Sequence, residues 1–297
     1  LRLELRFEQK DALRASRWAR YFEGKTIMTQ RRAALVTGSS RGIGKAVALA
    51  LACTHDIVLN YRARRDEADA AAEMFRAAGA GVLLVQADIT EPNSLIRLAD
   101  AGLKQFGRID TLVTNAATGL HWPVSVSGWQ QIADSVQVIA GSFATLVAQL
   151  SPAMVEGGRI VAISGLDRMF AVADHGLIGA GKAAVESMVR NLAMELGPRG
   201  ITANAVVPGA CRTESLTRAL ERRPGFEADL VKTIPVGRMA APEDVAGVVA
   251  FLCSSAANYV TGTSILVDGG FSAGNLWTDR QRISLAQGGW SDRKLGQ

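Results

Sequence analysis

The chain has 297 residues, 48% hydrophobic and 21% charged, with 30 glycines and 8 prolines. Such a composition supports a sizeable globular core and excludes disorder, collagen-like repetition and a disulfide-held scaffold. The net charge of +5 belongs to the ends: residues 1–27 carry seven Lys/Arg against four Asp/Glu, residues 271–297 carry four against two, and the stretch between is balanced. A nucleic-acid binder would hold that excess on its folded face, so no nucleic-acid partner is expected.

Apolar runs are broken by Gly, Ser or charge well short of the roughly 20 residues that span a bilayer, so no membrane association is expected either. Cys53, Cys211 and Cys253 are odd in number and widely spaced, as are His55, His121 and His175. Neither set has metal-ligand spacing, which argues against zinc and disulfides and for a reducing, cytoplasmic setting.

Residues 1–27 begin with Leu and contain no apolar segment of signal-peptide length. Arg14, Arg17 and Arg20 suit a transit peptide, but Glu4, Glu8, Asp11 and Glu23 do not. The stretch reads as an N-terminal extension outside the core. From residue 33 the pattern alternates. Ala33–Thr37 predicts a strand, a Gly-rich turn follows, and Gly42–Cys53 predicts a helix. Next come strand Asp56–Tyr61, helix Asp66–Ala78, strand Gly81–Ala87, helix Ser94–Phe106 and strand Ile109–Thr114. Helices are then expected over Trp129–Leu150, Ala180–Leu196 and Pro242–Ser254, with strands at Arg159–Ser164, Ile201–Val207 and Ser264–Val267. Continuously apolar strands alternating with helices predict an α/β fold, a single doubly wound Rossmann domain whose parallel seven-stranded sheet is covered on both faces. The domain is placed at 28–271, with 272–297 as a C-terminal tail in which Trp277 and Trp290 suggest packing against something.

The first turn reads Thr37-Gly38-Ser39-Ser40-Arg41-Gly42-Ile43-Gly44. Gly38 permits a sharp exit from the strand, Gly42 a close approach to phosphate, and Gly44 tight packing of the helix on the sheet. The helix N-terminus offers free N–H groups and the positive end of its dipole to a pyrophosphate. The end of the second strand reads Asn60-Tyr61-Arg62-Ala63-Arg64-Arg65, with no carboxylate before Asp66. An acidic residue there would hold a ribose 2′-hydroxyl, whereas these arginines, with Arg41, suit a 2′-phosphate. NADPH is therefore expected over NADH.

Over residues 31–271 the chain resembles the short-chain dehydrogenase/reductase family. Thr37–Gly44 matches its TGxxxGxG turn, and Asp88-Ile89 falls where the family contacts adenine. Asn115-Ala116-Ala117 is similar to its NAG element. Asn204–Thr213, with Pro208, Gly209 and Thr213, resembles the loop over the nicotinamide, and Val267-Asp268-Gly269-Gly270 matches the last strand. Within the family the likeness is to NADPH-dependent enoyl-acyl carrier protein reductases, through Asn115–Val124, Gly237-Arg238-Met239 and a seven-residue spacing to Lys182. The resemblance implies a small-molecule or acyl-thioester substrate and a homodimer or homotetramer built through helices 129–150 and 180–196.

The family's chemistry uses Asn, Ser, Tyr and Lys. Lys182 matches the lysine that holds the nicotinamide ribose. The other positions depart from the pattern: Ile178 stands four residues before Lys182 where most members have Tyr, Gly165 replaces Ser with Ser164 beside it, and Ile139 falls at the Asn position. Losing one oxyanion donor typically costs about 10²–10³ in rate, so the usual carbonyl reduction should be very poor. The enoyl reductases place Tyr seven residues before the lysine, and here His175 occupies that position. Seven helical residues span roughly 10.5 Å and return to nearly the same face, so a helix extending that far would put His175 on the active-site side with Lys182 as a candidate proton donor, with Asp174 favouring and Lys182 opposing its protonated form; the alternative is a loop histidine with a local hydrogen bond. The candidate catalytic set is Lys182, His175 and Ser164. His121 and Trp122 read either as the lining of a substrate mouth or as loop anchors, Cys211 as a small buried hydrophobe, and Arg238 and Glu243 as surface or helix-start charges. Two functions follow: an NADPH-dependent reductase of an enoyl or other conjugated carbonyl compound, or a degenerate member of the family serving a non-redox step or a nucleotide-binding partner role.

Overall fold

The computed structural model describes residues 31–117, 121–221 and 225–274. The expected extension over 1–27 and the tail tryptophans Trp277 and Trp290 lie outside the described residues.

Seven parallel strands form one sheet in the order β3-β2-β1-β4-β5-β6-β7. They are β1 Arg32–Val36, β2 His55–Tyr61, β3 Val82–Gln86, β4 Thr111–Thr114, β5 Arg159–Ile163, β6 Thr202–Pro208 and β7 Ser264–Val267. β1 pairs with both β2 and β4, so the chain reverses direction across the sheet there. In open α/β sheets the crevice beyond the strand ends at such a point is where ligands bind.

The helices are α1 Gly42–Ala52, α2 Arg65–Ala77, α3 Pro92–Phe106, α4 Trp129–Ile132, α5 Val138–Leu150, α6 Gly176–Leu196, α7 Glu214–Glu221, α8 Phe226–Thr233 and α9 Pro242–Cys253. Side-chain alternation along β1 divides the core: Ala34 and Val36 join residues of α1, α2 and α9 on one face, whereas Ala33 and Leu35 join residues of α3, α5 and α6 on the other. Both faces are dry. The strands are therefore apolar at successive positions rather than at every second one.

Three differences from the sequence reading matter. A five-residue π turn, Ala133–Gln137, interrupts the long helix expected over 129–150. With it, Trp129–Ala153 becomes a helical run of 25 residues containing a window of mean hydropathy 1.3, apolar and long enough to cross a membrane, contrary to the expectation that no such run exists. This run packs in the protein, contributing Ile139, Phe143, Leu146 and Leu150 to the core. Helices α7 and α8 were not foreseen. Finally, α6 starts four residues before the expected Ala180, directly after its N-cap His175.

Candidate active site

The turn between β1 and α1 fits a dinucleotide phosphate. Gly38 and Gly42 have φ of +63° and +57°, the left-handed region that favours glycine. A methyl group on Gly44 would overlap the Gly38 carbonyl oxygen and sit 2.5 Å from Asn115 Nδ2, so α1 can approach the strand ends this closely only with glycine. Arg41 caps α1 without a side-chain bond to the helix, and the first turn carries no acidic residue. Ser40 and Ile43 lie half-buried in the same turn. Asn115 and Ala116 donate backbone N–H groups to Thr37 Oγ1, each at 2.9 Å, which ties the end of β4 and neighbouring Ala117 to the glycine turn.

Two of the expected cofactor contacts turn out to brace the structure with their side chains. Asn60 is buried; its Oδ1 accepts from the Gly38 N–H at 3.0 Å and its Nδ2 donates to the Ala87 carbonyl at 3.0 Å. Both ends of the amide are thus committed to holding the turn. The Tyr61 ring is also buried in the core, and its hydroxyl accepts from Arg65 Nη1. Arg62 is exposed. Asp88 Oδ1 accepts from the Thr90 N–H at 2.9 Å, and Ile89 packs at the edge of the core.

The loop after β6 closes over this turn. Pro208 ends the strand. A methyl group on Gly209 would come within 2.8 Å of Asp268, so this loop can approach the end of β7 only with glycine there, and Thr213 lies in ordinary contact distance, 3.7 Å, of a methyl group on Gly42. Cys211 is buried, and burial pushes its thiol up to about 11, as suits an inert small hydrophobe. Arg238 pairs with Asp244 at 2.5 Å, and Asp244 in turn accepts from the Ala241 N–H at the start of α9.

Lys182 lies on α6 with its ammonium buried, donating to the Ile163 carbonyl at 2.6 Å. Burial pushes it down to about 8, against the opposing pull of the Asp167 and Glu186 carboxylates. Gly181 allows the close approach of Ile139, whose Cβ would lie 3.0 Å from a methyl group there. The position expected for Asn is therefore an apolar contact between α5 and α6. Ile178 likewise packs against the core.

His175 Nδ1 lies 3.2 Å from Asp167 Oδ2, and the His121 ring meets it edge-on with centroids 4.5 Å apart. The carboxylate beside His175 is thus Asp167, not the expected Asp174, which adopts φ +61° and offers its carbonyl to the Trp122 N–H. Two histidines remote in sequence are brought ring to ring, and Trp122 anchors their loop. Asp167 also fills the gap left by Gly165: a methyl group there would begin 2.6 Å from Asp167 Oδ1. One on Gly179 would collide with the Asp167 carbonyl. Sequence reading missed Asp167. The only signal was an Asp two residues beyond the vacated serine position.

Ser164, expected in the catalytic set, is engaged by a buried carboxylate. Its hydroxyl donates to Glu186 Oε1 at 2.5 Å, while Ser264 donates to Glu186 Oε2 at 2.7 Å and Arg168 Nε sits 2.6 Å from Oε1. This buried carboxylate turns Ser164 into a tie between β5, α6 and β7. Among the described residues no group of three His, Cys, Asp or Glu side chains could hold a metal ion, and the three cysteines are free.

The doubly wound sheet, the glycine turn at its switch point and the buried lysine define a Rossmann-type dinucleotide fold. Comparison with known proteins narrows that class. Residues 38–272 match the model of a family described as enoyl-(acyl carrier protein) reductase. A 3-oxoacyl-[acyl-carrier-protein] reductase of Synechocystis is 37% identical, over 80% of this chain and 95% of its own. A 1-cyclohexenylcarbonyl-CoA reductase of Streptomyces collinus is 34% identical, over 82% and 88%. The structure of a blue fluorescent protein from a metagenomic library, solved with NADPH, superposes with a TM-score of 0.75 at 33% identity, covering 81% of this chain and 98% of that one. The chain belongs to the short-chain dehydrogenase/reductase family.

Proposed function

We propose that this protein is an NADPH-dependent reductase of an enoyl or other conjugated carbonyl substrate, a small molecule or acyl thioester, in which a histidine held by a carboxylate replaces the tyrosine of its relatives. The observation that carries this reading is the Asp167–His175 contact on the same side of the fold as buried Lys182. NADPH, once bound, would supply the hydride for the β-carbon of the conjugated double bond. His175 donates its Nε2 proton to the α-carbon, so that one hydride and one proton saturate the bond. Asp167 accepts the Nδ1–H of His175, which leaves Nε2 as the donating atom. Lys182 holds the nicotinamide ribose with an N–H not used on the Ile163 carbonyl.

The remaining contacts follow the resemblance. Gly38, Ser40, Arg41, Gly42, Ile43 and Gly44 would cradle the pyrophosphate, and Arg41, Arg62 and Arg64 would reach toward the 2′-phosphate. Asp88 and Ile89 flank the adenine, Asn115, Ala116 and Ala117 the ribose, and Pro208, Gly209 and Thr213 the nicotinamide. We read residues 28–271 as one domain. Trp129, 82% exposed, and an apolar groove of about 470 Å³ running from it to Met188 suit a homodimer or homotetramer joined through α4, α5 and α6. The free thiols suit the reducing cytoplasm.

The second reading is a degenerate family member, and one observation favours it: Ile178 and Gly165 provide no proton or oxyanion donor. NADPH oxidation at saturating cofactor, with a panel of enoyl thioesters and ketones, separates the two. Enoyl turnover lost in both His175→Ala and Lys182→Ala supports the reductase. Tight NADPH binding with no turnover of any substrate moves the protein to the non-redox reading.

A further inference from the structure

Glu214, the first residue of α7, places one carboxylate among three guanidinium groups. Its Oε2 lies 2.7 Å from Arg41 Nη1, its Oε1 lies 3.2 Å from Arg64 Nη1, and Arg218 on the next helical turn also pairs with Oε1. Arg41 and Arg64 come from different parts of the cofactor cradle. Arg41 caps α1 in the glycine turn, and Arg64 caps α2 just beyond β2. Glu214 reaches them from the loop after β6, whose Thr213 lies directly over Gly42. Oε2 accepts from Arg41 and, at 3.4 Å, from Arg64, and Oε1 from Arg64 and Arg218, so guanidinium groups converge on one carboxylate as they would on a phosphate monoester, while Arg64 Nη1 also pairs with Glu67 Oε1 at 2.5 Å.

We propose that Glu214 is an internal counterpart of the dinucleotide 2′-phosphate, competing with it for Arg41 and Arg64 and thereby setting how strongly the protein prefers phosphorylated over unphosphorylated dinucleotides. The proposal rests on the NADPH reading above. The Glu214 carboxyl is held below the usual carboxylate range, chiefly by its hydrogen bond from Arg64, so at neutral pH it is an anion and a true competitor. A 2′-phosphate brings more negative charge than a carboxylate, and its arrival releases Glu214. The first turn of α7 then loses its ties to α1 and α2, so occupation of the 2′ subsite also loosens the helix that borders the site. An unphosphorylated dinucleotide leaves the ties in place.

The test uses calorimetric titration of the full chain with adenosine 2′,5′-bisphosphate and with 5′-AMP, comparing wild type, Glu214→Gln and Arg41→Ala/Arg64→Ala, and amide hydrogen exchange over 214–221. These are half-exposed pairs, whose individual contributions are small. Glu214→Gln is therefore expected to bind the bisphosphate about three- to tenfold more tightly, with 5′-AMP affinity unchanged. Exchange over 214–221 should quicken when wild type binds the bisphosphate and stay constant with 5′-AMP. If wild type prefers the bisphosphate while Glu214→Gln binds it equally or more weakly, Glu214 aligns the arginines rather than competing, and the proposal is overturned while the NADPH reading stands. If wild type shows no preference and the double arginine variant is indistinguishable from it, both fall.

Discussion

Asp167 holds His175 by Nδ1 at 3.2 Å, and the other oxygen of the same carboxylate lies 2.6 Å from where a side chain on Gly165 would begin. One residue therefore both orients the histidine and occupies the space of the serine that the family usually carries. The loss of Ser, the gain of His and the presence of Asp are one rearrangement, because a serine at 165 and a carboxylate at 167 compete for the same volume.

Asp167→Asn tests the orienting role. Asparagine keeps the shape but loses one acceptor oxygen, and its amide can present the wrong hydrogen-bonding end to Nδ1. Enoyl reduction is expected to fall by roughly 10², within the range that general acid catalysis contributes, with NADPH affinity unchanged. Steady-state kinetics and NADPH titration check the two expectations; a kcat equal to wild type would remove Asp167 from the proton path.

Restoring the family's serine should harm the protein. In Gly165→Ser the new Cβ meets Asp167 Oδ1 well inside normal contact distance, so the carboxylate must swing away from His175. Because the atom that must move is the end of a half-buried side chain, a loss of no more than about 1 kcal/mol of stability is expected, with a fall in enoyl turnover. The double variant Gly165→Ser/Asp167→Ser should recover the stability and not the activity. Urea unfolding and initial rates on the pair distinguish this from simple intolerance at position 165.

The division between what the sequence conveyed and what it withheld follows from range of interaction. The strands and helices around the glycine turn announced themselves locally, because apolar runs and left-handed glycines such as Gly38 and Gly42 are properties of a few adjacent residues. Lys182 was legible from its neighbours on one helix. The Asp167–His175–His121 cluster was not, because it joins a loop after β5, a helix N-cap and a loop after β4, and no spacing rule relates those three. For Asn60 and Ser164 the sequence shows polarity and not direction: both side chains point inward, to Gly38 and to Glu186.

Ser164 and Glu186 should therefore behave as structural residues. Ser164→Ala removes one of several bonds to a buried carboxylate and is expected to cost about 1 kcal/mol, with kcat within threefold of wild type. Glu186→Ala strands Arg168 together with two hydroxyl groups, and breaking a buried pair on one side costs roughly 3–5 kcal/mol. Chemical denaturation of the two variants gives the ranking; a Ser164→Ala enzyme crippled in turnover but intact in stability would return Ser164 to the catalytic set.

Lys182 carries a pH signature in stability as well as in activity. Burial lowers its folded-state value from 10.5 to about 8, so between those two values the unfolded chain binds more protons than the folded one. Stability contributed by this group must then rise with pH across that window and be flat below it. The full rise is on the order of 3 kcal/mol. On the proposed reading, in which Lys182 holds the nicotinamide ribose, the amine loses its charge over the same range, so NADPH affinity should decline as the fold becomes more secure. Lys182→Met replaces the amine with an apolar chain of similar length and should abolish the pH-dependent rise while keeping the fold. Urea unfolding of wild type and variant at pH 7, 9 and 10 measures the difference. Parallel curves for the two proteins would mean that Lys182 is as well solvated in the fold as in the unfolded chain, and its role as a desolvated ribose anchor would have to be abandoned.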